Sequence, residues 1–523
     1  MNEPNSKNTA RVLLWISGGL AALAAALVIT RAVNVGVTGE WIMRFTGDRA
    51  WSGLLPVVPV LGLILLLVGA SYRKIESARR SERIITVAML VVFLFAMQFA
   101  VGAAGEFGGQ EALLAVVTPT TNLYFTEAGA VENAAQYLSG YSKRAAESEG
   151  WQLKTHPPGP VLFFYAVRSV TKACPGVRNA ILDFAGRFIS ESSNWRNEEA
   201  FALLARRIDG AAEAAGWLAV GLLRLAAALS AVPAYIFARA LYGRRKAIAA
   251  AALAGLIPSL LLFNATIDQL YPVLGLTAAL IGYRAAARRS LLMNVAAGGV
   301  LFVGLMFSVS FVVYVILTIV IQVWVLLTGK KADELTRELW AVMRMTECLL
   351  IGVLLGAVAI YVFTGMRFLC LSNWVQCVRA NKLFNEESGR TYLAWLAANP
   401  VLFAAFLGLP AAALFARRAF AEVRLLISRR ALSAADAVTM ALVCVLAALW
   451  LYGANLGEVE RLWMPLMPLC AIVGMGGSNF SRAGILILLG LQGLQAMVFK
   501  LSLDPLGLRG IVDQITRAAG GLC

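Results

Sequence analysis

Charged residues make up only 15% of this chain of 523 residues, and histidine occurs once. Soluble domains carry roughly a quarter charged residues, so a soluble globular protein is excluded, and 59% hydrophobic residues with a mean hydropathy of +0.73 point the same way. A single histidine and seven scattered cysteines with no CxxC leave no recognisable zinc site. The sparse aspartates and histidine offer no ligand set of familiar spacing, so no metal ligands and no certain cofactor are assigned, and a divalent metal is unsupported. Cys370 and Cys377 share one loop, where two unpaired thiols are expected rather than a disulfide. A small-residue cleavage pattern is missing after the first apolar run, Val12 to Thr30, which reads as a retained helix rather than a signal peptide.

What is present is a succession of apolar runs, each of about 17 to 24 residues and long enough to cross a hydrocarbon core of about 30 Å as a helix. The expected fold is an all-α polytopic membrane protein of about 13 transmembrane helices, with a long first extracytoplasmic loop carrying surface helices. Net charge is +16. The basic residues cluster between apolar runs: Arg73, Lys74, Arg79, Arg80 and Arg83; Arg244, Arg245 and Lys246; Arg284, Arg288 and Arg289; Lys330 and Lys331; Arg417, Arg418, Arg424, Arg429 and Arg430. By the positive-inside rule they mark the cytoplasmic face, which accounts for the charge without nucleic acid as a partner.

This assignment makes residues 1–500 a single membrane domain followed by a tail, 501–523. Within it, 105–158 is extracytoplasmic and 176–210 is an amphipathic surface segment. The expected crossings include 12–30, 53–71, 84–104, 217–240, 247–263, 267–283, 291–306, 310–328, 347–365, 399–416, 436–453, 462–478 and 484–500. A short segment from Gly159 to Thr171 is read as re-entrant or surface-lying, because a crossing there would put the Arg244 cluster on the wrong side.

The outer face then collects the polar residues that need explaining. Glu106, Glu111, Glu127, Lys154 and His156 fall in the first loop, Asp268 at a hairpin tip, and Glu458, Glu460 and Arg461 in a late loop. Carboxylates and cations at the ends of apolar helices suit a substrate that is half lipid and half polar. His156 precedes Pro157, Pro158 and Pro160; a residue before proline avoids helical geometry, and proline is tolerated in a first helical turn, so His156 should sit just ahead of a helix start, where an anion is favoured. Bland readings stand beside these: an interfacial histidine ending a loop, an aspartate solvating a turn, and a local Glu458–Arg461 ion pair worth little. The Asn264-Ala265-Thr266 sequon matters only in a host that glycosylates such sites.

The segment Lys154-Thr155-His156-Pro157-Pro158-Gly159-Pro160 with Val161 to Phe164 resembles the His-Pro-Pro segment that follows the first outer loop of membrane glycosyltransferases of the C-type fold, the group that includes relatives of protein O-mannosyltransferases and aminoarabinose transferases. Arg239 to Arg245, Pro258 to Tyr271, and Gly457 to Trp463 with Pro465 and Pro468 fit the same group in order. The resemblance covers roughly residues 84 to 480. It implies a polyprenyl phosphate sugar as donor, a lipid, glycan or protein hydroxyl as acceptor, and an acidic residue of the first outer loop as base. That acid is often an aspartate, yet none occurs from 49 to 182, so Glu106 is the nearest match, with Glu111 and Glu127 behind it.

Proton removal from the acceptor needs a carboxylate, and the departing phosphate needs positive groups; Lys154, His156 and Arg461 are candidates for the phosphate, with Asp268 and Glu458 as further binding residues. The expected location is a bacterial inner membrane, with membrane lipids around the chain and the site facing outward. The rival class is a secondary transporter or lipid flippase, which places helix breaks and charges near the midplane of paired repeats; no convincing repeat is visible. A third reading is a non-catalytic assembly subunit.

Overall fold

A computed structural model describes residues 6–46, 51–188, 209–328, 330–427, 433–453 and 455–520. The chain is a helical, polytopic membrane protein. Among the described residues nine helices are long and apolar enough to cross a membrane, or ten if one bent pair counts as a single span. They include Arg80–Ala103, Gly210–Tyr242, Ile267–Arg288, Asp333–Phe363 and Arg482–Ser502. The last of these is mostly buried, whereas Asp333–Phe363 exposes Leu350, Leu354, Val358 and Val362 along its length, as a helix facing lipid does.

Several expected spans take a different form. The run expected as one helix over 399–416 is two, Tyr392–Leu407 and Leu409–Ile427, meeting at an angle of 116°. Gly408 makes the corner at φ 92°, a conformation that L side chains rarely adopt. Peptide groups freed by such a break must be paired within the protein. Gln492 Nε2 donates to Leu407 O at 2.7 Å, Gln495 Oε1 accepts from Leu409 N at 2.8 Å, and Gln495 Nε2 donates to Ala405 O at 2.8 Å. The stretch expected as 247–263 is likewise divided into Arg244–Gly255 and Pro258–Leu262, with Pro258 in the first turn of the second piece. The segment after His156 is a helix of 15 residues, Gly159–Ala173, followed by Pro175–Phe188; of the expected surface segment 176–210, residues 189–208 lie outside the described residues, as do Arg429 and Arg430.

The basic clusters converge at one end of the bundle. Lys246 Nζ donates to Gly476 O and Arg417 to Gly477 O, each at 2.7 Å, and Arg289 binds Glu338 at 2.6 Å. At the opposite end the first loop folds into five short helices between Glu111 and Thr155. Beside it lies a three-stranded antiparallel sheet in which β2 (Trp41–Phe45) pairs with both β1 (Val35–Val37) and β3 (Leu503–Asp504). The helix Cys370–Glu387 packs over the loop: Gln376 donates to Ser142 O at 2.9 Å and Asn381 to Thr155 O at 3.2 Å. Cys370 and Cys377 on that helix are buried free thiols.

Candidate functional site

A cavity of about 230 Å³ opens at the loop end of the bundle. Its wall comes from five separate parts of the chain: Asn122, Tyr124, Trp151, Gln152, Thr155 and His156 of the first loop; Ala265 to Asp268; Asn381, Phe384 and Arg390; Asn455 to Glu458 with Arg461; and Leu506. His156, Asp268, Glu458 and Arg461, singled out in the sequence, therefore share one site.

His156 caps the short helix Trp151–Thr155 in an extended conformation, φ −123° and ψ 146°, and the next helix starts at Gly159 with Pro160 in its first turn, as the prolines predict. Its Nδ1 lies 3.0 Å from Thr155 Oγ1 and 3.2 Å from Gln152 O. A carbonyl only accepts, so the network assigns the ring hydrogen to Nδ1, leaving Nε2 with its lone pair. Burial, reinforced by the nearby Arg461, lowers the ring's pKa to about 4. His156 is thus neutral near pH 7. Tyr124 packs edge-on against it at 5.6 Å, and Tyr141 Oη donates to its backbone oxygen at 2.8 Å.

The charged half of the site is a chain of alternating signs. Arg390 Nη2 reaches Glu458 Oε1 at 2.9 Å, Arg461 Nη2 reaches Glu458 Oε2 at 2.8 Å, and Arg461 Nη1 lies 3.7 Å from Asp268 Oδ2. Glu458 adopts φ 56°, unusual for a residue with a side chain, directly after Gly457 at φ 90°. That sharp turn aims its carboxylate between the two arginines, while Gly457 lies so close to Trp395 that a Cβ would be 2.8 Å from the ring. Burial raises the Glu458 pKa, but Arg461 and Arg390 outweigh it and hold the carboxyl below the usual range. For Arg461, burial is outweighed by Asp268 and Glu458, and its pKa is raised. Glu460 is buried, and burial with the neighbouring Glu458 charge outweighs the pull of Arg461 and Arg390 and pushes its pKa up to about 8; its Oε2 has no hydrogen-bond partner among the described residues.

The other expected site residues lie elsewhere. Glu106 pairs with Arg509 at 3.1 Å and Glu111 with Lys500, around a separate space of about 10 Å³, the size of one water. Burial raises the Glu111 pKa against the pull of Lys500. Glu127 accepts from Tyr137 Oη at 3.1 Å. Lys154 stands 5.0 Å above the Trp151 ring and lines a neighbouring groove of about 830 Å³ with Glu149, Arg379 and Glu387. Trp151 belongs to both spaces. Among the described residues lining the cavity around His156, the carboxylates are Asp268 and Glu458.

The sequence reading did not single out Arg390 as a site residue or Glu40 at all. Glu40, in the β1–β2 turn, accepts from Thr391 N at 2.9 Å, Thr391 Oγ1 at 2.6 Å and Trp395 Nε1 at 2.7 Å, so it fixes the residues flanking Arg390. No local signal marks a pairing across that much chain. No known protein family and no curated protein matches this chain.

Proposed function

We propose that the chain is a membrane glycosyltransferase that moves a sugar from a polyprenyl phosphate donor to a hydroxyl acceptor. One observation carries this reading: His156, Asp268, Glu458 and Arg461, which come from three of the four stretches behind the family resemblance, line a single polar cavity at the end of an apolar bundle. Trp151, Tyr124 and Phe384 give it aromatic faces on which a sugar ring can stack, and Asn122, Gln152 and Asn381 give it hydrogen-bonding groups.

Asp268 takes the part of base. It is nearly buried and lies 3.7 Å from one guanidinium, whereas Glu458 is fastened between two and is the weaker base. Asp268 removes the acceptor's hydroxyl proton as that oxygen attacks the anomeric carbon. The bond from that carbon to the phosphate oxygen breaks, and the polyprenyl phosphate leaves with the electron pair. Arg461 and Arg390 supply positive charge for the departing phosphate in a partly dehydrated site. The neutral His156 offers Nε2 as acceptor for a sugar or acceptor hydroxyl.

In this reading the cavity faces away from the cytoplasm, because the basic clusters gather at the other end of the bundle; the membrane is a bacterial inner membrane. The bent pair, the two shorter apolar helices Leu291–Phe307 and Met464–Gly476, and the divided stretch 244–262 join the nine longer helices to make about 13 crossings. The test is transfer of label from a polyprenyl phosphate sugar by the purified chain in lipid vesicles. Appearance of labelled acceptor and free polyprenyl phosphate is expected. A protein that carries lipid or solute across the vesicle wall and transfers no sugar would replace this reading with that of a transporter.

A further inference from the structure

Beneath the cavity wall lies a connected set of buried polar side chains inside the bundle. Gln98 Oε1 accepts from Gln269 Nε2 at 2.9 Å and from Asn264 Nδ2 at 3.0 Å. Asn264 Oδ1 accepts from Arg224 Nε at 2.7 Å, and Gln269 Oε1 accepts from Ala265 N at 2.8 Å. All four side chains are buried, and Arg224 is 1% exposed. A guanidinium in such a place is costly compared with an apolar side chain of similar size. Its ring contact is Phe99, 4.3 Å away, and the carboxylate whose charge reaches it is Glu111.

The set surrounds one turn. Residues 263–270 connect Pro258–Leu262 to Tyr271–Arg288, with Ala265 at φ 62°, a left-handed conformation that an alanine holds only when its surroundings impose it. Asn264 and Gln269 grip the turn on both sides of Ala265, and Asp268 stands on the same turn, in the cavity. Room for Arg224 is also made by sequence: a Cβ on Gly102 would lie 2.3 Å from its Nη2.

We propose that Arg224, acting through Asn264 and Gln98, is a positioning residue that holds the 263–270 turn so that the Asp268 carboxylate stands against Arg461. The inference rests on the transferase reading for the part Asp268 plays, but not for the holding of the turn. Arg224 anchors Asn264 from one side, Gln98 ties Asn264 to Gln269, and Gln269 holds the peptide nitrogen of Ala265. Loss of any member leaves buried partners unpaired, and the strained turn relaxes.

The test uses the full chain in lipid vesicles, comparing wild type, Arg224→Gln, Arg224→Lys, Asn264→Ala and Asp268→Asn. Transfer from a polyprenyl phosphate sugar is measured beside amide hydrogen exchange of residues 263–270. Arg224→Gln and Asn264→Ala are expected to lower kcat by about 10- to 100-fold at unchanged donor KM. Exchange should quicken in that turn alone, and Arg224→Lys should recover part of both. Unchanged exchange and unchanged kcat in both variants, with Asp268→Asn inactive, would overturn the inference and leave the transferase reading standing. Exchange that quickens in the turn while Asp268→Asn transfers as well as wild type would keep the positioning and remove Asp268 as base. A loss spread over the whole bundle, with a fall in melting temperature for both variants, would reduce Arg224 to a structural residue and also overturn it.

Discussion

Arg461 Nη1 stands 3.7 Å from Asp268 Oδ2, while Nη2 of the same guanidinium holds Glu458 at 2.8 Å. The closer contact keeps the arginine in place, and in the transferase reading the looser one leaves the aspartate able to take a proton. Asp268→Asn keeps the shape and removes the proton acceptor. Transfer is expected to fall by about 10²- to 10⁴-fold with donor KM little changed, measured as steady-state rates against donor concentration; wild-type kcat in this variant would remove Asp268 from the chemistry.

Two buried groups give the chain's stability opposite slopes with pH. His156 has its pKa lowered to about 4 from 6.5, so the unfolded chain binds the extra proton and stability falls as pH drops from about 6.5 to about 4. Glu460 has its pKa raised to about 8 from 4.5, so the folded chain holds the extra proton and stability falls as pH rises from about 4.5 to about 8. Melting curves of Glu460→Gln should therefore match wild type near pH 4.5 and lie above it at pH 8. Curves of His156→Gln should lose less stability than wild type between pH 6.5 and 4.

Glu40 is far from the cavity in sequence and reaches its wall through Thr391, the neighbour of Arg390, and Trp395, whose ring lies beside Arg390 and Gly457. Glu40→Ala leaves Arg390 with less support on that side. An increase in donor KM of about 10-fold is expected, with melting close to wild type; an unchanged KM would show that the contact holds the turn without serving the site.

Gly159 begins the helix after His156, and a Cβ there would fall 2.3 Å from Met306 O, a backbone atom that cannot swing aside. Gly159→Ala should cost about 1 to 3 kcal/mol by forcing the two segments apart. Denaturant unfolding of the variant checks this, and a cost within about 0.5 kcal/mol would mean that the segments part without strain.

The helical membrane class was legible because apolar runs of spanning length are a property of local composition. The His156 conformation was legible too, because the prolines that set it are its neighbours. What Gly159 packs against was not, since Met306 is far away in the chain. The same limit applies to the carboxylates. Glu106 and Glu111 stand out by their place in the first loop, but nothing near residue 106 records that Arg509 and Lys500 are their ion-pair partners. The span expected over 399–416 failed to appear as one helix for a related reason: a bend at Gly408 is tolerable only because Gln492 and Gln495 pair its loose peptide groups.

The Glu111–Lys500 pair separates residues by 389 positions, and β3, with its two residues Leu503–Asp504, closes the sheet started by β1 and β2. During synthesis the first loop is therefore laid down with an unmatched carboxylate and β2 with an open edge, and both wait until almost the whole chain has entered the bilayer. Assembly of this end of the bundle is a late event. Chains stalled before residue 500 should be the ones that membrane quality control recognises, with the exposed edge of β2 as the mark of an unfinished molecule.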